Sequence, residues 1–102
     1  MTLEEVWNEL KKRIKPDTQV QTWTAGDGYG EDKFIVVAIK GGFVHVVSAG
    51  DEKTQKIPEG DFAKVLGLWD GYADGKLPLA KVAAETKFPT HVVSILHSLE
   101  KA

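Results

Sequence analysis

The sequence predicts an α+β domain: an N-terminal helix, a three- to four-stranded antiparallel sheet and a C-terminal cluster of three helices. Apolar residues recur at three- and four-residue spacing before residue 15 and again after residue 58. Between these stretches lie short runs rich in β-branched residues, punctuated by glycines. Strands therefore cluster ahead of most helices, which favours segregated layers over an alternating βαβ arrangement. The chain has 102 residues, 42% of them hydrophobic, and no linker or repeat divides residues 1–102, so a single domain is expected.

Each element has a local cause. Thr2-Leu3-Glu4-Glu5 forms a capping box, and Leu3, Val6, Trp7, Leu10 and Ile14 then follow helical spacing. Pro16 stops that helix at or just before Lys15. Gln19–Thr24 alternates with period two, which puts Val20 and Trp23 on opposite faces. Phe34–Ile39 is continuously apolar and reads as a buried central strand. Gly41-Gly42 joins it to Phe43–Ser48 as a hairpin, because glycine tolerates the positive φ of primed turns. Ala49–Glu52 is a further turn, and Thr54–Ile57 a short edge strand. A helix starting at Pro58 or capped by Asp61 then buries Phe62, Val65, Leu66, Trp69 and Tyr72. Gly67 within it suggests close approach by another element. Pro78 opens the next helix, with Leu79, Val82 and Ala83 inward. Pro89 opens the last, where Val92, Val93, Ile95, Leu96 and Leu99 make a broad apolar stripe.

Composition excludes several functions. There are no cysteines, so disulfides, thiolate metal sites and thiol nucleophiles are absent. No apolar run reaches the roughly 20 residues of a membrane span. The acidic start of the chain lacks the basic-then-apolar layout of a secretory signal, so a cytoplasmic location is expected. The formal net charge is −2. The stretch from Lys76 onward carries lysines 76, 81, 87 and 101 against Glu85 and Glu100, a local excess of +2. Arg13 is the sole arginine, which disfavours sequence-specific reading of bases.

Val82–Leu96 resembles a helix-turn-helix: Ala83 is the small residue of its first helix, Phe88 the apolar turn residue, and Val93 and Leu96 the inner face of its second helix. Lys87 stands where the family has a turn glycine, and the hairpin precedes the motif instead of following it. The resemblance implies DNA binding through residues 78–101, with Lys81, Lys87, Thr90, His91, Ser94 and Lys101 as phosphate and groove contacts. A second resemblance spans Ile57-Pro58, Asp61-Phe62, Trp69, Gly71-Tyr72, Gly75 and Val92–Leu96. This pattern is similar to that of small bacterial proteins such as integron-cassette products, and it implies no particular chemistry.

Catalytic and metal readings fail on spacing. His91 and His97 lie six residues apart, about 600° around a helix, so they do not form the i,i+4 ligand pair. His91, Ser94 and His97 lack an orienting carboxylate at fixed spacing and read as a solvated polar stripe. The paired carboxylates Glu4/Glu5, Glu31/Asp32 and Asp51/Glu52 have no apolar surroundings to raise a pKa. Gly26–Gly30 lies between strands, so it is a hairpin loop with Tyr29 at its tip and no phosphate cradle. The expected function is therefore a non-enzymatic interaction module without metal or cofactor, binding a protein partner or a second copy of itself. The expected contact residues are Tyr29, His91, Ser94, Ile95 and His97. Ile95 and Val92 widen the apolar face of the last helix enough to suggest a homodimer. The alternatives are DNA binding, as above, and a small-ligand pocket near Trp23, His45 and Tyr72.

Overall fold

The computed structural model describes residues 2–48 and 53–101. Its elements are α1 (Leu3–Arg13), β1 (Thr18–Thr24), β2 (Gly28–Lys40), β3 (Phe43–Ser48), β4 (Gln55–Pro58), α2 (Glu59–Ala73), α3 (Leu79–Ala83) and α4 (Pro89–Lys101). The four strands form one antiparallel sheet in the order β1-β2-β3-β4. The α+β class and the fourth strand are as the sequence predicts. The turn expected at Ala49–Glu52 lies outside the described residues.

The capping box forms as its residues dictate. The Glu5 N–H donates to Thr2 Oγ1 at 3.2 Å, and the Thr2 N–H donates to Glu5 Oε1 at 3.3 Å. The helix ends at Arg13, slightly ahead of the proline. Ile14 already has extended backbone and turns its side chain into the core. Gly41 and Gly42 have φ of 61° and 78°, the primed-turn geometry expected of the β2–β3 hairpin.

Two register shifts shape the sheet. Val20 pairs with Phe34, and both are buried; Trp23 then pairs with Tyr29, so β2 holds two extra residues over this interval. Strict alternation would leave Trp23 on the face away from Val20. The irregularity brings it instead to the helix side, where its ring stacks on His97 of α4 at 3.9 Å and 5°. The same irregularity extends β2 back to Gly28, so only residues 25–27 remain as the turn and Tyr29 sits within the strand. The second shift lies between Val36 and Ala38.

All four helices lie on one side of the sheet. From that side of the strands, Val20, Phe34, Val36, Val44, Val46 and Ile57 enter the core. Val6 and Leu10 of α1, Phe62, Val65, Trp69 and Tyr72 of α2, and Val82 of α3 meet them. The centre is α4: residues 92–96 are buried without a break, and the helix packs on β1, α1, α2 and α3. A helix apolar on most sides is an interior helix.

Two local expectations are corrected. Ala83 is exposed, because α3 is a short helix that buries Val82 alone. Gly67 is also exposed, and a Cβ there would meet nothing within 4 Å. The close approach belongs to Gly71, where a Cβ would stand 3.0 Å from Leu77 Cδ1. There the chain folds back after α2, and the Gly71 carbonyl accepts the N–H groups of Lys76 and Leu77. Among the described residues no helix is long and apolar enough to cross a membrane.

Candidate functional site

The polar residues of α4 do not form a solvated stripe. Ser94 is 1% exposed. Its Oγ accepts the Trp23 N–H at 2.8 Å and donates to the Thr90 carbonyl at 2.6 Å. His91 is half-buried between Phe34 and Phe88, with Nε2 at 3.3 Å from Ser48 Oγ. Desolvation by that burial lowers its pKa below the ordinary histidine value. His97 lies flat on Trp23, and its Nε2 is 3.1 Å from the Tyr29 hydroxyl. The stripe appears polar in sequence because α4 lies beside β1, whose backbone and aromatic groups need polar partners.

This changes the accessibility of the expected contacts. Ile95 and Val92 are fully buried within the chain, so neither widens an exposed face for a second copy. Ser94 is closed off in the same way. Tyr29 and His97, predicted from separate segments, meet at the surface, and Tyr29 keeps 46% exposure. Together with Trp23 they fasten the β1–β2 hairpin to α4, beside a shallow groove of about 250 Å³ that also borders Arg13 and Gln21.

The helix-turn-helix resemblance fails at its second helix. A recognition helix must present a face to a groove, and α4 is enclosed by sheet and helices. Lys81 and Lys87 are exposed, whereas Thr90 and His91 are half-buried and Ser94 is inside. Lys101 closes α4, but its side chain lies outside the described residues. The turn needs no glycine, because Lys87 has no positive φ. It is tied down instead by Thr86, which donates to Asp61 Oδ2 at 2.8 Å and accepts the Phe88 N–H at 3.0 Å.

The small-ligand grouping also separates. Trp23 and Tyr72 touch on the helix side, with ring centroids 6.3 Å apart. His45 points the other way, since its neighbours Val44 and Val46 are both buried. The three do not line one cavity.

His45 belongs to a surface that sequence reading missed. On the open face of the sheet, Ile35 pairs with Val47, His45 with Ala38 and Lys56, and Phe43 with Lys40 and Pro58. Ile35 and Val47 are half-buried, yet neither belongs to the core or packs against it. Phe43 is 37% exposed, and its ring lies 6.5 Å from that of His45. Lys33, Lys40 and Lys56 surround this apolar centre, and all three are exposed. The signal was present in the alternation of Phe43–Ser48. It was hidden in Phe34–Ile39, where an unbroken apolar run resembles a strand covered on both faces.

No protein-family model matches this chain, and no curated protein or solved structure is significantly similar to it.

Proposed function

We propose that this chain is a cytoplasmic, non-enzymatic interaction module that docks a macromolecular partner on the open face of its sheet. The observation that carries this reading is the Ile35–Val47–Phe43 patch, which is apolar, outward and separate from the core. Exposed aromatic and aliphatic side chains in one patch, framed by charge, are the usual make-up of a contact surface. The engagement of the α4 hydroxyl and imidazole groups in holding β1, β2 and β3 supports binding over catalysis.

Site-specific photocrosslinking tests the reading in the source cell. A photoreactive residue replacing Phe43 in the full chain is expected to give a discrete adduct, and one replacing Asp74, on the exposed end of α2, is not. Equal labelling from both positions, or none from position 43, overturns it.

A further inference from the structure

Charge is unevenly spread over the sheet. Thr18–Thr24, the Lys33–Lys40 part of β2, Phe43–Ser48 and Gln55–Pro58 contain Lys33, Lys40 and Lys56 and no carboxylate; the two acids of the strands, Glu31 and Asp32, lie in the irregular stretch of β2 ahead of Lys33. The rest of the chain holds ten Lys and Arg against all fifteen Asp and Glu. An acidic protein therefore presents, on the regularly paired part of its open sheet face, three lysines around an apolar centre, with Glu31 and Asp32 beyond Lys33 at one end. Reading charge along the sequence placed the basic excess in the C-terminal quarter. Folding places a second one on this face, because strands distant in sequence lie side by side.

We infer that the occupant of this face is an acidic amphipathic helix of a partner protein. This rests on the reading above and names the chemistry of its partner. The helix would set an apolar stripe on Ile35, Val47 and Phe43, with carboxylates reaching Lys33, Lys40 and Lys56. The dimensions agree. Four strands span roughly 14 Å, enough for one helix about 10 Å wide, and Lys33 and Lys40 stand about 20 Å apart along β2, some four helical turns.

Two other occupants fit less well. A second copy of this chain packed face to face would set lysines against lysines. Single-stranded nucleic acid is held by several stacked rings and a denser run of cations. Here the centre is aliphatic, Phe43 is its one Phe, Tyr or Trp side chain, and no arginine lies on the strands.

The test is fluorescence anisotropy with the full chain and three labelled probes. One is a helical peptide of about 16 residues with a leucine stripe flanked by glutamates, long enough to span the two β2 lysines. The second is the same peptide with lysines for the glutamates, and the third a mixed-sequence single-stranded RNA. The wild-type chain is expected to prefer the acidic peptide by about tenfold, the yield of two or three exposed ion pairs. The double variant Lys40→Glu/Lys56→Glu, at exposed positions and with its fold checked by circular dichroism, is expected to invert the preference. Equal affinity for both peptides, tightest binding to RNA, or dimerisation with no peptide bound overturns the inference. If crosslinking from position 43 still succeeds in that case, the module reading survives and only the acidic occupant is lost. If both experiments fail, both readings fall.

Discussion

On β3, Val44 and Val46 are 0% exposed, while Phe43, between turn and strand, keeps 37% and His45 and Val47 face outward. One residue of backbone separates a packed interior from a surface that no described helix covers. The covered face has Val, Ile and Phe locked among four helices. The open face has Ile, Val and Phe as well, but framed by lysines and outside the core. The same side-chain chemistry serves cohesion on one side and is available for contact on the other. What decides the role is the neighbouring layer, not the residue.

The largest break in that comparison comes from two phenylalanines. Phe34→Ala is expected to cost about 3–5 kcal/mol, because it empties a filled core site. Phe43→Ala is expected to cost less than about 1 kcal/mol, since its ring is partly solvated already. Urea unfolding of the two variants measures the contrast; equal losses would mean that the open face is structurally as important as the core.

A smaller effect separates two glycines of α2. Gly67→Ala is expected to raise stability by about 0.5–1 kcal/mol, because the position is helical, exposed and sterically open. Gly71→Ala is expected to gain less or to lose, since the new methyl meets Leu77 at 3.0 Å. Thermal midpoints in the opposite order would contradict the packing of the chain after α2.

The smallest expected effect is the pH response of His91. Its pKa is lowered by burial in the folded state, so the unfolded chain binds more protons below the ordinary histidine pKa. The contribution is complete above about pH 6.5. It declines as the pH falls from there toward the lower folded pKa, and levels off below it. Denaturation midpoints of the wild type and of His91→Gln across that window check the sign. A wild type that gains stability on acidification relative to the variant would refute it.

The fold was largely legible from sequence because its signals are local. The Thr2–Glu5 box, the Gly41-Gly42 turn and the proline starts of α2 and α4 act within a few residues of themselves. The site was much less so. Ser94, His91 and His97 looked like a wet stripe, since sequence spacing says which residues share a helix face and not what lies opposite. Period two puts Trp23 on the wrong face because the pairing shifts between Gln21 and Trp23; the cue for that irregularity is Gly30, which faces Thr22 so closely that a Cβ would stand 2.7 Å from its hydroxyl. The lysine frame was invisible for a related reason: Lys33, Lys40 and Lys56 become neighbours only through strand pairing.

The hydroxyl of Ser94 has one more consequence. Open sheets risk end-to-end polymerisation, because an outer strand offers unpaired amides to any passing chain. Here the Trp23 amide is already taken by Ser94, with α4 running beside β1. At the opposite margin β4 is four residues long and ends in Pro58, which has no N–H to donate. Each margin thus has one position at which an added strand would find no free amide, Trp23 on β1 and Pro58 on β4.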